Sequence, residues 1–371
     1  MISAVTLFLA GDVMTGRGID QILANPCDPQ LHETYVKNAG RYVSLADQSS
    51  GSVPRDVDFD YIWGDALEEL QRVEPAAGIV NLETSITRSE DFWSAKEVHY
   101  RMSPENAQCL TAANLDVCSL ANNHVVDWGW SGFEETLSTL EALSIPFAGA
   151  GRDLAEATAP AVVRLDDGCR VLVFGLCSQT SGVPRQWAAR EKKPGVRLID
   201  GDSRDTLEML GRDVERWKES GDIAVASLHW GPNWGYEIPR RDVEFARGLV
   251  DVACFDLVHG HSSHHVKALE VYNGKLILYG CGDLLTDYEG IRHHDEYHGD
   301  LGLMFFPRLD PATGKLEHLE MTPTRMRRFR LERASRNDVR LLAEILNREG
   351  RAFHSEFRVT ETGTIHLERP D

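Results

Sequence analysis

The chain has 371 residues, of which 42% are hydrophobic and 26% are charged, so it can form one large globular domain or two smaller ones. Its formal net charge of −19 opposes binding to nucleic acid or to anionic membranes, and we expect neither as a partner. The basic segment 325–333 (RMRRFRLER) is a local exception. It is either a solvated strand or helix face, or a docking surface for an acidic peptide.

The seven cysteines are scattered, form no CxxC pair, and several lie in apolar runs. This pattern is typical of buried thiols in a reducing compartment rather than of a disulfide framework. The apolar run that opens the chain, AVTLFLA, is too short for a signal segment or a membrane span, and no basic residue precedes it. We therefore interpret it as the first strand and expect a cytoplasmic protein.

Short apolar runs alternate with amphipathic stretches, a pattern typical of α/β proteins whose sheets are covered on both faces. The β-rich runs on either side of Asn273-Gly274 predict a hairpin, so we expect mixed sheets. Segments 24–60 and 178–205 lack periodicity and are predicted to be long loops near a functional site. We expect residues 1–330 to form a catalytic domain, with a helix and a hairpin in residues 331–371 packed on it. The predicted strands are AVTLFLA, AGIVNLE, LDVCSLA, CRVLVFGLC, DIAVASLHW, FDLVHGH, ALEVY, KLILYG and LGLMFF, and the predicted helices cover residues 61–73, 104–113, 131–143, 206–219, 239–253 and 336–347.

Polar residues that bind metals or move protons stand at the ends of these apolar strands. In open α/β sheets ligands bind beyond the carboxyl ends of strands, so such residues are expected to share one site. Alone, each could be a turn residue, a helix cap or a packed histidine, but their joint occurrence predicts a metal site. Carboxylate, amide and imidazole donors together suit one or two Mn²⁺, Zn²⁺ or Fe²⁺ ions, with no organic cofactor. The residues are Asp12, Glu83, Asn123, His124, His229, His261 and His264.

The motifs GDVMTGR, NLETSIT, LANNHVVDWG, ASLHWG, HGHSSHH and EVYNGKLILYGCGD occur here in the order of the CapA-type capsule-synthesis family. The chain resembles that family, which belongs to the calcineurin-like metallophosphoesterase superfamily, over most of its length. The resemblance implies a four-layer α/β/β/α sandwich with mixed sheets. It also implies a mononuclear or dinuclear metal site and a position for His124 beside the reacting group. The implied ligands are Asp12, Glu83, Asn123, His229, His261 and His264.

The sequence departs from the superfamily pattern at the first motif. Phosphoesterases usually begin Asp-x-His, whereas Asp12 is followed by Val13 and Met14. The loss of that histidine weakens the expectation of ordinary two-metal phosphoester hydrolysis. Capsule-synthesis members are also typically membrane-anchored, whereas this sequence predicts no anchor or signal segment. We therefore expect an intracellular tailoring role instead of a role in capsule synthesis.

Three classes of function remain open. The first is hydrolysis of a phosphoester or of a poly-γ-glutamate-type amide, with His124 assisting the leaving group. The second is epimerisation at a peptide α-carbon. We prefer this hypothesis, since the chain resembles the metal-dependent epimerases that mature lasso peptides. The segment RHHDEYH offers His293, His294 and His298, and we take His294 as the base, with Asp12 or His124 opposite. The third is a binding protein without catalysis.

Tryptophans follow several of these motifs. Each could be a core residue, but together they predict an apolar cleft that suits a peptide or precursor-peptide substrate. The tryptophans expected to bind the substrate are Trp93, Trp128, Trp230 and Trp234.

Overall fold

The computed structural model describes residues 3–166, 168–291 and 294–368. Within these residues the α-helices are α1 (Gly40–Ser50), α2 (Asp65–Val73), α3 (Gln108–Ala112), α4 (Gly129–Ala142), α5 (Leu154–Thr158), α6 (Arg204–Trp217), α7 (Arg240–Asp251) and α8 (Arg336–Gly350). The strands are β1 (Val5–Val13), β2 (Ala77–Leu82), β3 (Ser85–Ile86), β4 (Arg101–Met102), β5 (Val117–Ser119), β6 (Phe147–Ala148), β7 (Ala150–Gly151), β8 (Ala161–Arg164), β9 (Arg170–Cys177), β10 (Gly195–Val196), β11 (Ile223–His229), β12 (Leu257–His261), β13 (Leu269–Tyr272), β14 (Lys275–Leu278), β15 (Asp283–Leu285), β16 (Leu301–Asp310), β17 (Lys315–Arg327), β18 (Arg330–Arg333), β19 (Glu356–Val359) and β20 (Ile365–Glu368).

Most of these strands belong to two mixed sheets. The first sheet has the order β19–β20–β17–β16–β1–β2–β5–β6, with β15 beside β1 and β18 beside β17. In it β1, β2, β5 and β6 run parallel, while β16, β17 and β20 pair antiparallel. The second sheet has the order β13–β14–β12–β11–β9–β8, with a parallel centre and antiparallel edges. The predicted mixed-sheet α/β fold is confirmed.

Successive side chains of the central strands point to opposite faces of each sheet, and this alternation divides the core into layers. In β1, Leu7 and Leu9 face the second sheet, whereas Phe8 and Ala10 face a cluster that includes residues of α1 to α4. In β9, Val173 faces the first sheet and Phe174 packs with α6 and α7. Both faces of each central strand are buried, which explains their continuous apolar runs. The layers are therefore helix, sheet, sheet and helix, as the family resemblance implies.

The predicted hairpin forms, and two helices, α1 and the short α5, were not predicted. β13 and β14 pair antiparallel, with Asn273 at φ 51° and Gly274 at φ 81°, the left-handed values that a tight hairpin turn requires. The segment 24–60 was expected to be irregular but contains α1. Only Tyr42, Val43 and Ala46 of α1 are buried, so its apolar periodicity is weak in the sequence.

The C-terminal elements extend the first sheet. β20 pairs with β17, and β19 completes the hairpin. The domain boundary at residue 330 stays a prediction. The basic segment 325–333 lies at the end of β17 and in β18, where its arginines pair with neighbouring acids; for example, Arg330 pairs with Asp65 and Arg325 with Asp300.

No helix in the described parts of the chain is long and apolar enough to cross a lipid bilayer. No disulfide joins cysteines of the described residues.

Shortening an apolar side chain that is buried between the two sheets should destabilise the fold. Leu9 is fully buried in the core between the two sheets, so Leu9→Ala should lower the free energy of unfolding by about 2–5 kcal/mol. The matched change Met209→Ala, at a side chain that is 40% exposed on α6, should cost less than about 1 kcal/mol. Urea unfolding measures both; equal losses would contradict the layer assignment.

Candidate metal centre

The carboxyl ends of the parallel strands in both sheets meet at one edge of the sandwich. Asp12 lies near the end of β1 and is paired in register with Asp283 of β15. In the second sheet His229 and His261 are register partners at the ends of β11 and β12. His259 lies two residues before His261 on β12 and links the two sheets, because its Nε2 is 2.8 Å from the Ala10 carbonyl oxygen of β1.

Among the described residues, two groups with metal-ligand geometry lie at this edge and share Asp12. One consists of Asp12, His229 and His261, and the other of Asp12, His264 and Asp283; within each group the ligand atoms lie within 4.8 Å of one another. The Nδ1 atoms of His229 and His261 are 2.9 Å apart. His264 Nδ1 is 2.9 Å from Asp283 Oδ1. A shared carboxylate between two donor groups is the arrangement expected of a dinuclear centre.

The buried carboxyl groups fit bound cations. Asp12 Oδ2 and Asp283 Oδ2 are both buried, and neither has a hydrogen-bond partner within the described part of the chain. Burial, and next the charge of Asp283, raise the pKa of Asp12 to about 7. Burial lowers the pKa of His229 and of His261 well below the usual value, which leaves the imidazoles neutral and able to bind a metal. Without cations, therefore, burial favours the protonated form of these acids.

Glu83 and Asn123 lie beside the ligand groups. Glu83 Oε2 is 3.9 Å from His229 Nδ1, and burial together with Asp12 raises the pKa of Glu83 well above its usual value. Asn123 Oδ1 is 3.1 Å from His229 Nε2, so its amide oxygen points at a ligand of the first group. Their roles as ligands stay predictions.

Asn81 links these side chains and was not predicted. Its Nδ2 donates to Asp12 Oδ1 at 2.7 Å and to Glu83 Oε2 at 2.9 Å. Asn122 in turn donates to Asn81 Oδ1 at 3.0 Å, and its own Oδ1 accepts from the backbone N–H groups of His124 and Val125. Asn122 thus braces the turn that presents Asn123 and His124.

His124 is held by a buried ion pair. Its Nδ1 lies 2.6 Å from Asp127 Oδ2 and 3.2 Å from Lys96 Nζ, and Lys96 also pairs with the other carboxylate oxygen of Asp127. Burial would raise the pKa of Asp127, but His124 and Lys96 lower it, so Asp127 is a carboxylate. We assign the imidazole proton to Nδ1, because a carboxylate can only accept it. Nε2, 3.7 Å from Glu83 Oε1, is left as the proton-accepting atom.

A cavity of about 900 Å³ reaches the centre at His264. His294 and Trp234 also line it, and their rings stack with centroids 4.5 Å apart. Trp234 in turn contacts His264 at 5.4 Å between ring centroids. The Trp234 ring therefore lies between His294 and His264, which belongs to the second ligand group. His298 lines the same cavity, whereas His293 lies outside the described residues.

The predicted substrate-binding tryptophans do not share one wall. Trp128 and Trp230 are not among the described residues that line the cavity: Trp128 packs under the Arg101 guanidinium, and Trp230 is buried beside α7. Trp93 packs edge-on against Trp130 and Trp187, also away from the cavity lining described. Large indoles satisfy core packing as readily as substrate contact, and the sequence does not separate the two uses.

Sequence reasoning also missed Asp283, Lys96 and Asp127. Asp283 closes the quoted motif YGCGD and follows an apolar run as Asp12 does, so the same strand-end rule could have found it. Asp127 stands three residues after His124, within reach of its ring nitrogen. Lys96 comes from an irregular segment, and nothing in the sequence pattern places it here.

Metal content should separate the two groups. We expect two equivalents of Mn²⁺ per chain, one of them lost in Asp283→Asn, the other lost in His261→Ala, and both lost in Asp12→Ala, since only Asp12 serves both groups. Elemental analysis after dialysis measures the content, and His354→Asn, at an exposed histidine, is the matched control. Two equivalents retained in Asp12→Ala would contradict the shared-ligand assignment.

Comparison with known proteins identifies the family of this chain. The family model described as bacterial capsule synthesis protein PGA_cap matches residues 6–288. A probable polyglutamine synthesis accessory protein of Mycobacterium tuberculosis is 46% identical over 350 residues, which are 94% of this chain and 92% of that protein. The PGA biosynthesis protein CapA of Bacillus subtilis is 29% identical over 265 residues, which are 70% of this chain and 64% of that protein. By the extent of the family match and the identity to the mycobacterial relative, the chain belongs to the PGA_cap family of bacterial capsule synthesis proteins.

Proposed function

We propose that this protein is a metal-dependent enzyme that hydrolyses an amide bond in a polyglutamate-type chain. The observation that carries the proposal is the pair of ligand groups that share Asp12 at the edge of an open cavity. The names of the relatives, which refer to polyglutamine synthesis and to PGA biosynthesis, favour a polyamide over a phosphoester.

The ligand groups suit a divalent cation in each of two positions. When bound, such cations polarise a carbonyl oxygen and lower the pKa of water. Asp12, His229 and His261 would hold one cation, with Asn123 beside them, and Asp12, His264 and Asp283 would hold the other. Asp283 supplies an oxygen donor to the second position, so a pair of cations does not require the histidine that is absent after Asp12.

His124 is the group that moves the proton. With Nδ1–H donated to Asp127, Nε2 accepts a proton from the attacking water as its oxygen bonds to the amide carbon. The same nitrogen then delivers that proton to the leaving amine as the C–N bond breaks. Burial lowers the pKa of His124 to about 4, which keeps its imidazole neutral before the reaction.

Epimerisation at the α-carbon of the same type of chain is the second candidate. It is favoured by the position of His294 in the cavity wall, stacked on Trp234 and near His264. His294 would remove the α-proton, and a group on the opposite side, Asp12 or His124, would return a proton to the other face. His294 is about half exposed, however, and belongs to neither ligand group.

One experiment distinguishes these reactions. The Mn²⁺-loaded protein is incubated in D₂O with γ-linked glutamate oligomers and with α-linked glutamine oligomers, and the products are followed by mass spectrometry. Shorter oligomers support hydrolysis. Intact oligomers that are about one mass unit heavier per reacted residue indicate α-proton exchange and support epimerisation. No change in either substrate overturns both proposals and favours an accessory binding role.

Replacing His124 should remove catalysis without removing the cations. His124→Gln is expected to lower kcat by about 10²–10⁴-fold, because the proton acceptor is lost, while the metal content stays at its original value. Elemental analysis is run beside the oligomer assay. Full activity in His124→Gln would exclude His124 from proton transfer.

Replacing His294 separates the two reactions. His294→Asn should leave hydrolysis within about threefold of the original rate, since His294 is remote from the attacking water in that mechanism. Under the epimerase mechanism the same change should abolish deuterium exchange, because the base is absent. Exposed His354→Asn serves as the control for histidine loss alone.

A further inference from the structure

A second histidine cluster lies far along the chain from the centre, on the outer face of the first sheet. His318 and Glu320 stand two residues apart on β17, and His366 of β20 is the register partner of Glu320. Their neighbours Leu319, Met321 and Ile365 point into the core between the sheets. Because side chains alternate along a strand, Glu320 and His366 project on the opposite face, beside His318.

The three side chains have metal-ligand spacing. One ligand atom from each lies within 4.8 Å of the other two. The rings of His318 and His366 meet edge to face, with centroids 4.8 Å apart, and His366 Nε2 is 3.5 Å from Glu320 Oε2. Two imidazoles and one carboxylate that converge from adjacent strands form the donor set that Zn²⁺ accepts, with one coordination position left for water.

The carboxylate is oriented for this role. Arg72 of α2 pairs with Glu320 Oε1, which leaves Oε2 directed at His366. Such an outer partner fixes a ligating carboxylate in many metal sites. Thr364 Oγ1 is 3.1 Å from His366 Nε2, but it also lies 2.8 Å from Thr360 Oγ1, so a cation can displace the first contact without stranding the hydroxyl.

The imidazoles are suited to binding at neutral pH. Burial, and next the proximity of His366, lower the pKa of His318. Burial also lowers the pKa of His366, against the opposing effect of Glu320. Both rings therefore keep a free lone pair near pH 7.

We propose that His318, Glu320 and His366 form a separate binding site for a transition-metal dication of the Zn²⁺ type, which ties the C-terminal hairpin to the first sheet. The hairpin of β19 and β20 joins this sheet along β17, with only Glu320 and Met321 paired to β20 in register. A cation held by residues of both strands would add a cross-link at this short junction. The site is independent of the reaction that the centre at Asp12 performs.

Calorimetric titration with Zn²⁺ tests the site on the metal-stripped full chain. His318→Asn and His366→Asn should each bind one Zn²⁺ fewer than the unchanged protein. Both variants keep the groups that share Asp12, so the difference reports on the second site alone. Arg72→Met should retain the equivalent but bind it about 10-fold to 100-fold more weakly, because the carboxylate loses its outer partner. Glu317→Gln is the matched control, since this neighbouring carboxylate pairs with Arg308 and lies outside the group.

Hydrogen exchange of the unchanged chain provides a second measurement that needs no variant. At a free Zn²⁺ concentration 100 times the Kd of this site, amides of β19 and β20 that exchange by release of the hairpin should exchange about 100-fold more slowly. Equal Zn²⁺ stoichiometry and affinity in the unchanged protein and in both histidine variants would overturn the proposal. Hairpin exchange that does not respond to Zn²⁺ would overturn the cross-link.

Discussion

Mutual repulsion among buried carboxyl groups is the constraint on which the rest of this structure depends. Asp12, Glu83 and Asp283 converge in the interior, where burial raises the pKa of each of them. A like-charged cluster of this kind persists only when protons or cations neutralise it. The surrounding groups serve that need: neutral imidazoles complete the donor sets, and Asn81 donates to two of the three acids.

The two sheets make this convergence possible. Each contributes parallel strands whose carboxyl ends reach the same edge, so Asp12 from one sheet meets His229 and His261 from the other. The packed core between the sheets, with Leu7, Leu9 and Val173 fully buried, fixes their separation. Ligand geometry is therefore a property of the whole sandwich rather than of a single loop, which is the arrangement that holds a site rigidly.

The sequence predicted the parts of the site that lie on strands better than those on irregular segments. Asp12, His229 and His261 were predicted to share one place because each stands at or near the end of a continuous apolar run, and the fold brings these ends together. Lys96 was missed because its segment has no periodicity and reaches His124 only through tertiary packing. The four tryptophans were grouped by their closeness to motifs in the sequence, yet only Trp234 lines the described cavity, since the other three pack elsewhere.

The ligands and the cavity wall have different structural supports. Most of the predicted ligands belong to strands or to the residues directly after them, whereas His294 lies in the connection between β15 and β16, at φ 63° beside a short turn at Asp295–Tyr297. The half-exposed His294 side chain can change without disturbing the strand ends that carry Asp12, His229 and His261. Substitutions in this part of the cavity wall can therefore alter what the cavity accepts while the two groups that share Asp12 keep their geometry.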